Sequence, residues 1–211
     1  MSGHCYIAGA GEFVEDLLPV EGDYVIAADG GYTSLISRGV TPDLVVGDFD
    51  SLEEIPDHPN IVRSPAEKDD TDMMLAVKHG LERGYNTFTI NGGLGGRLDQ
   101  TLANIQILAY LAENDAFGTL LGLDVCIIAI KGGEVELSVD TARGKSISVF
   151  SHNEKAEGVT LKGLRYPLDN ATITNTYPIG VSNEFADEDV VISVDNGTLI
   201  VMWETKAGSK E

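Results

Sequence analysis

Short apolar runs alternate with amphipathic segments up to about residue 130 of the chain. Five of the runs have the length and composition of β-strands, namely 5-CYIAG-9, 24-YVIAA-28, 44-LVVG-47, 86-NTFTIN-91 and 125-VCIIAI-130. Helical stretches separate several of them. Because parallel strands need crossover connections, this alternation predicts a mostly parallel sheet covered by helices.

Two of the intervening segments have helical periodicity. In the first, 71-TDMMLAVKHGLERG-84, Thr71 or Asp70 can cap the start, Gly84 can end the helix, and the apolar stripe comprises Met73, Met74, Val77 and Leu81. The stripe is typical of a core-facing helix, so we interpret the methionines as core residues and not as cofactor contacts. The second helix is predicted from about Leu98 to Glu113, with one apolar face formed by Leu98, Leu102, Ile105 and Ala109.

Helical periodicity disappears after 131-KGGE-134 and gives way to short β-type runs, namely 146-SISVF-150, 157-EGVTL-161, 171-ATITN-175, 190-VVISV-194 and 198-TLIVMW-203. The stretch Asp195-Asn196-Gly197 predicts a turn between the last two. We therefore predict two domains, 1–131 and 132–211. The predicted fold class is α/β, with a mostly parallel, Rossmann-like sheet and flanking helices followed by a smaller all-β sandwich or barrel domain.

Composition narrows the possible partners and location. The 211 residues include 14 basic and 34 acidic side chains, a formal net charge of −20. Most of the surface should therefore repel nucleic acids and anionic membranes. The chain begins without a secretory pattern and has no run long enough to span a membrane, so a cytoplasmic location is expected. Cys5 and Cys126 lie in apolar runs and are predicted to be buried structural thiols.

The first candidate site segment is 27-AADGGYTSL-35, where Asp29 follows a strand. Gly30 and Gly31 allow the backbone to turn tightly and to approach a ligand before the next helix. Taken alone, the segment favours an ordinary strand-to-helix turn with its N-cap.

Two acidic segments form a candidate metal site. In 44-LVVGDFDSL-52 an apolar run ends in Asp48 and Asp50, which in an extended chain would point to the same side. Carboxylates so close repel unless a positive charge lies between them. Asp69 and Asp72 in 67-EKDDTD-72 add hard oxygen ligands of the kind that magnesium takes together with phosphates. The alternatives are a solvated turn for the first pair and helix capping for the second.

A third segment, 91-NGGLGGRLDQT-101, is rich in glycine at Gly92, Gly93, Gly95 and Gly96 and ends in Arg97 at a helix start. Its backbone could wrap phosphates, and the guanidinium could neutralise them. It is not the P-loop motif, because neither Lys-Ser nor Lys-Thr follows. Combined with the acidic segments, it favours a nucleoside triphosphate with magnesium as the ligand.

The ordered set AADGG, GDFDS, KDDTD and GGLGGRLDQ resembles the thiamine pyrophosphokinase family. In the second domain, 158-GVTLKGLRYPL-168 and 182-SNEF-185 resemble that family's thiamine-binding strand and loop, so the resemblance covers essentially the whole chain. It implies transfer of the diphosphate of ATP to the hydroxyl of thiamine, with release of AMP. Such an in-line transfer depends mainly on positioning and charge neutralisation.

The resemblance also assigns residues. It implies that magnesium is held by Asp48, Asp50 and Asp72, with Asp69 close by and Thr71 helping to place them. The nucleotide would be held by Asp29 with its neighbours Gly30 and Gly31, by Gly92, Gly93, Gly95 and Gly96, by Arg97, and by Lys68 as a phosphate contact. The acceptor would lie near Asp99 and Gln100. Asp72 and Asp99 are both candidates for the group that accepts the hydroxyl proton.

The family is a homodimer with thiamine sites at the subunit interface, which implies acceptor contacts from Tyr166, Ser182 and Asn183. Tyr166 replaces the tryptophan that stacks on thiamine in animal and fungal members. A tyrosine face can still stack on the cationic thiazolium, although more weakly. Lys68 replaces a glutamine found in other members.

Two other functions are compatible with parts of the sequence. A phosphatase of the haloacid dehalogenase type could use the Asp48-x-Asp50 motif as nucleophile and acid. That motif normally follows the first strand of its domain, and the reading leaves GGLGGR unexplained. A non-catalytic sensor of nucleotide or thiamine would bind magnesium and ATP without turnover, but it needs fewer carboxylates at a phosphate site.

Overall fold

The computed structural model describes residues 3–49, 58–63, 69–138, 146–186 and 188–205. Two predicted site residues, Asp50 and Lys68, lie outside the described residues. The chain is α/β, with parallel and antiparallel strands and few helices. It divides into two compact units, Met1–Ile107 with Gly118–Gly122 and Leu108–Phe117 with Leu123–Glu211.

Among the described residues, the first unit contains six hydrogen-bonded strands in the order β6-β5-β1-β2-β3-β4. Their bounds are β1 His4–Ala8, β2 Tyr24–Ala28, β3 Leu44–Gly47, β4 Ile61–Arg63, β5 Thr87–Asn91 and β6 Phe117–Leu121. The pairs β1–β2, β1–β5, β2–β3 and β3–β4 are parallel. Parallel strands end at one edge of the sheet, so the segments that follow β1, β2, β3 and β5 share that edge.

Strands β1, β2 and β3 are apolar, and nearly all of their side chains are buried on both faces. A core cluster on the unit combines strand residues with Phe13, Leu35 and Phe49. The helices are α1 Gly31–Ile36, α2 Asp72–Glu82 and α3 Leu98–Glu113. The helix bounds predicted from periodicity are thus confirmed within two residues.

The two longer helices differ in how well the predicted apolar face agrees with burial. On α2, Met73 and Val77 are buried as predicted. On α3, Leu98 and Leu102 are 81% and 58% exposed, so the predicted apolar face is wrong at its first two positions. Ala109, the last residue of the predicted face, is buried as predicted. The other buried positions of α3 follow another stripe at helical spacing, namely Asn104, Ile107, Leu108 and Leu111.

The second unit is built from antiparallel strands with the bounds β7 Val125–Leu137, β8 Ser146–Ser151, β9 Lys155–Lys162, β10 Leu168–Thr174, β11 Asn183–Glu184 and β12 Val190–Glu204. The long strand β12 pairs with β7, β8 and β9. Strand β10 pairs with β9, and β11 pairs with β8. No helix among the described residues is both long and apolar enough to cross a membrane.

Two features of this unit differ from the sequence pattern. The predicted turn at Asp195-Asn196-Gly197 is wrong, because β12 continues through it with a shift of register between Val194 and Thr198. Gly197, at φ +100°, absorbs the irregularity that a turn was expected to produce. Strand β7 runs through residues 131 and 132, where the sequence pattern changes character.

Candidate active site

A cleft of about 790 Å³ opens in the first unit where β1, β2, β3 and β5 end. Its lining includes ten predicted site residues, namely Asp29, Asp48, Thr71, Asp72, Gly92, Gly93, Gly95, Gly96, Arg97 and Gln100. It also includes seven that the sequence analysis missed, namely Gly9, Ala10, Gly11, Glu12, Ala28, Met73 and Asn104. The edge at the carboxyl ends of parallel strands is where open α/β sheets bind ligands.

The turn after β2 places Asp29 in the cleft wall. Asp29 has φ +48°, a conformation that few residues other than glycine adopt, and its N–H donates to the carbonyl of Val46 at 2.8 Å. A Cβ at Gly31 would overlap the carbonyl oxygen of Ala8, so only glycine allows α1 to start against β1. Gly30 is the N-cap of α1 without a side-chain hydrogen bond. Gly30 and Gly31 therefore shape the turn, while Asp29 lines the cleft.

The segment after β3 corrects one expectation. The chain is not extended through Phe49, which has φ +61° and is 4% exposed. Its ring belongs to the core cluster with Tyr6 and Val45, and packing the ring there turns the backbone. Asp48 lines the cleft. The predicted extended backbone is therefore wrong at Phe49, and Asp50 lies outside the described residues.

The start of α2 contributes a carboxylate and a cap. Thr71 is the N-cap, and its Oγ1 accepts a hydrogen bond from the N–H of Met74 at 3.1 Å. Asp72, in the first turn, lines the cleft. Asp70 instead pairs with Lys78 at 2.7 Å, and Asp69 is exposed and is not among the residues that line the cleft.

The glycine-containing loops after β1 and β5 are joined by backbone hydrogen bonds at the cleft. The N–H of Gly11 donates to the carbonyl of Gly92 at 2.7 Å, and that of Glu12 donates to the carbonyl of Leu94 at 2.8 Å. A Cβ at Gly11 would overlap the Leu94 carbonyl, so glycine is needed for this approach. The pair Gly9 and Gly11, at the end of the first predicted strand, is the sequence signal that could have identified the first loop.

Arg97 and Asp99 form an ion pair at the start of α3. The Arg97 Nε and Nη2 donate to the two carboxylate oxygens of Asp99 at 3.1 and 2.6 Å. The Arg97 guanidinium lowers the pKa of Asp99, chiefly through these hydrogen bonds, and Asp99 raises the pKa of Arg97. Both side chains are mostly exposed, so the pair contributes little to stability.

Two buried asparagines anchor the loops of the cleft. Asn91 is fully buried, and its amide exchanges hydrogen bonds with the backbone of Val14 at 2.9 Å, which ties the loop after β1 to the end of β5. Asn104 is 5% exposed and donates through Nδ2 to the carbonyl of Gly93 at 2.7 Å. The Asn104 Oδ1 is buried and makes no hydrogen bond within the part of the chain that the structure describes.

The predicted acceptor residues Tyr166, Ser182 and Asn183 lie in the second unit. Tyr166 is 58% exposed, and Ser182 is exposed with φ +55°. Asn183 is 4% exposed and bonds to the backbone of Tyr166.

The donor set fits a magnesium ion bound together with phosphate. Over the described ranges, which omit Asp50, no group of three His, Cys, Asp or Glu side chains could hold a metal by itself. Magnesium commonly takes one or two carboxylates and completes its shell with phosphate oxygens and water. Asp48 and Asp72, which line one cleft with the glycine loops, match that pattern. Neither thiol is suited to act as a nucleophile or a metal ligand, because burial raises the pKa of Cys5 and of Cys126 to about 12.

The fold and the cleft define an α/β protein whose carboxylates and glycine loops are suited to a metal-bound phosphate ligand. Two family models match the chain, the thiamin pyrophosphokinase catalytic domain over residues 17–117 and the thiamin pyrophosphokinase vitamin B1 binding domain over residues 134–199. The chain belongs to the thiamine pyrophosphokinase family.

Individual relatives agree with this assignment. The chain is 32% identical over 186 residues to thiamine pyrophosphokinase of Bacillus subtilis, which covers 85% of this chain and 86% of that one. The crystal structure of the Bacillus subtilis enzyme superposes with a TM-score of 0.83 at 29% identity, covering 96% and 99% of the two chains. Thiamin pyrophosphokinase of Geobacillus thermodenitrificans gives a TM-score of 0.79 at 26% identity, covering 97% and 99%.

Proposed function

We propose that this protein transfers the intact diphosphate group of ATP to the hydroxyethyl oxygen of thiamine, which gives thiamine diphosphate and AMP. The observation that carries the proposal is the cleft of the first unit, where Asp29, Asp48 and Asp72 share a wall with the glycine loops and Arg97. A phosphatase and a non-catalytic sensor are not favoured, because the chain belongs to a kinase family over both of its units.

The nucleotide is assigned to the first unit. We interpret its parallel pairs β1–β2 and β2–β3 as the centre of a mostly parallel, Rossmann-like sheet with the nucleotide at its carboxyl edge. The loop around Gly93 would approach the phosphates through backbone N–H groups, and Arg97 would neutralise them. The loop around Gly11 would support it, because the N–H groups of Gly11 and Glu12 bond to the carbonyls of Gly92 and Leu94.

Magnesium would be held by Asp48 and Asp72. The family resemblance also implies Asp50, which lies outside the described residues, and Asp69, which is exposed and does not line the cleft. When bound, the ion supplies charge neutralisation on the phosphates. The chain's own contribution is to hold these carboxylates on rigid elements, since Asp48 directly follows β3 and Asp72 begins the capped helix α2.

Asp99 is assigned to holding Arg97 and not to accepting the hydroxyl proton. A general base is most effective when its pKa lies near the working pH. The Arg97 guanidinium lowers the pKa of Asp99, which makes this carboxylate a weaker base.

The acceptor side of the reaction is assigned to the second unit and to Gln100. Tyr166 and Ser182 are exposed there, as contacts for thiamine require. We further propose a cytoplasmic homodimer that binds thiamine at the subunit interface. The cytoplasmic location is supported by the thiols of Cys5 and Cys126, which are both free and buried.

The test is to incubate the purified protein with ATP, magnesium and thiamine and to separate the products. AMP and thiamine diphosphate should appear in equal amounts, and omission of thiamine should stop the formation of AMP. ADP with thiamine monophosphate would mean transfer of a single phosphoryl group. Unchanged ATP would contradict the proposal.

A further inference from the structure

The amide of Asn183 is committed to the protein backbone. Its Oδ1 accepts hydrogen bonds from the N–H of Tyr166 at 3.0 Å and from its neighbour Glu184 at 2.9 Å. Its Nδ2 donates to the carbonyl of Tyr166 at 2.7 Å. An amide oxygen has two lone pairs, so Oδ1 is saturated. Because Asn183 is also only 4% exposed, it is poorly placed to bind a ligand itself.

The two hydrogen bonds between the Asn183 amide and the backbone of Tyr166 are called the backbone clamp below. They replace the pair of backbone hydrogen bonds that a neighbouring β-strand would make. Both backbone groups of Tyr166 are satisfied by a single amide, so its φ and ψ are restrained from both sides. The neighbouring residues extend the restraint, because the N–H of Arg165 donates to the carbonyl of Glu184 at 2.9 Å and that of Ala186 to the carbonyl of Gly163 at 3.0 Å. The segment before Tyr166 is thereby pinned along residues 183–186.

The Tyr166 ring, in contrast, is held by little packing. The residue is 58% exposed, and the described ring contact is the Arg165 guanidinium at 5.7 Å from the ring centroid. Arg165 is in turn paired with Glu184 at 2.7 Å. The direction in which the ring is presented to a ligand therefore depends on the backbone clamp and not on burial of the ring.

We propose that Asn183 is a positioning residue for thiamine, which acts through Tyr166 and does not touch the substrate. This inference rests on the proposed function, in which the Tyr166 ring stacks on the cationic heterocycle. A stacking contact depends on the orientation of the ring, so loss of the clamp lowers the affinity for thiamine without altering the nucleotide site.

The test is a double-mutant cycle with Asn183→Ala and Tyr166→Ala, read as KM for thiamine, KM for ATP and Tm. Each single variant should raise the KM for thiamine by roughly tenfold and leave the KM for ATP within about twofold. The double variant should resemble Tyr166→Ala alone, because Asn183 has nothing left to position. Asn153→Ala is the matched control, since Asn153 Oδ1 accepts from the N–H of Thr198 at 2.6 Å in the same unit. It should lower Tm without changing the KM for thiamine.

Asn183→Asp keeps the cycle usable if the alanine variant does not fold. It retains an acceptor for the two N–H groups but replaces the donor to the Tyr166 carbonyl with a carboxylate oxygen, so the KM for thiamine should still rise. Penalties that add in the double variant would overturn the inference, because Asn183 would then contribute independently of Tyr166. A wild-type protein that leaves ATP intact would instead overturn the proposed function.

Discussion

Arg97 and Asp99 face each other at the first turn of α3, where the guanidinium donates to both carboxylate oxygens at 3.1 and 2.6 Å. Sequence reasoning assigned the two side chains to different substrates, Arg97 to the phosphates and Asp99 to the acceptor. Their pairing allows Asp99 to orient the guanidinium at the cleft. A bidentate pair restrains the plane of an arginine better than a single contact does.

Arg97→Gln should lower kcat by about 10²- to 10³-fold, because a cation that neutralises charge developing on the phosphates is lost. Asp99→Asn should lower kcat by a smaller factor, because the Arg97 guanidinium remains and only its orientation is less restrained. Arg83→Gln is the matched control, because the Arg83 guanidinium lies over the Tyr24 ring at 4.7 Å and is not part of the cleft. Steady-state kinetics measure all three variants. A kcat of Arg97→Gln close to that of the control would contradict this role.

The pH dependence of stability follows from the same pair. Arg97 lowers the pKa of Asp99 in the folded protein below its value in the unfolded chain. The pair therefore stabilises the fold above the unfolded pKa of about 4, and this contribution is lost as the pH falls through the folded pKa. The Tm difference between wild type and Asp99→Asn should be constant from about pH 6 to pH 8 and should shrink in acid. A Tm difference that changes between pH 6 and pH 8 would contradict this role of the Arg97–Asp99 pair.

Asp48→Asn should reduce kcat by at least about 10²-fold, because the metal loses a charged ligand. Added magnesium should restore part of the activity if the defect is in binding the ion. Asp70→Asn provides the control, since this carboxylate pairs with Lys78 and does not line the cleft. Binding of magnesium and nucleotide by calorimetry supplies a readout besides activity. Equal effects of the two substitutions would remove Asp48 from the metal site.

Gly11→Ala tests the loop that follows β1. A Cβ there would overlap the Leu94 carbonyl, so the substitution should destabilise the fold by about 1–3 kcal/mol and raise the KM for ATP. Gly39→Ala is the comparison, because Gly39 has φ +73° with no atom within 4 Å of an added Cβ, and it should cost about 1 kcal/mol without affecting KM. Urea unfolding and kinetics would show both effects. An unchanged KM for ATP in Gly11→Ala would mean that the loop does not shape the nucleotide site.

Asn104→Ala should raise the KM for ATP about tenfold, since it releases the Gly93 carbonyl and with it the glycine loop. Asn114→Ala is matched to it on the same chain segment, because Asn114 donates to the carbonyl of Tyr110 at 2.8 Å but is exposed. Kinetics of the two variants at saturating thiamine make the comparison. The anchoring role of Asn104 fails if both substitutions leave the KM for ATP unchanged.

Local signals explain what the sequence predicted well. Strands β2 and β3 have the predicted bounds because each apolar run ends abruptly. Strand β2 is followed by Asp29, and β3 ends at Gly47 and is followed by Asp48. Helix α2 begins after Thr71 and ends before Gly84, which has φ +87°, because capping depends on short-range chemistry. The carboxyl ends of adjacent strands then brought most of the predicted cleft residues together.

Non-local contacts explain the features that could not be predicted from the sequence. The left-handed conformation of Phe49 accompanies the burial of its ring in a core cluster that includes Tyr6, which is far away in sequence. Asn104 was overlooked because its partner is a carbonyl in the glycine loop and no motif marks it. Likewise, the hydrogen bonds of Asn183 to Tyr166 span 17 residues and are visible only in the fold.

Transfer of an intact diphosphate is tested most directly by phosphorus NMR of a single reaction containing the protein, ATP, magnesium and thiamine. The signals of the β- and γ-phosphorus of ATP should move together into thiamine diphosphate, while the α-phosphorus appears in an equal amount of AMP. Appearance of the β-phosphorus in ADP, with the γ-phosphorus in thiamine monophosphate or free phosphate, would contradict diphosphate transfer.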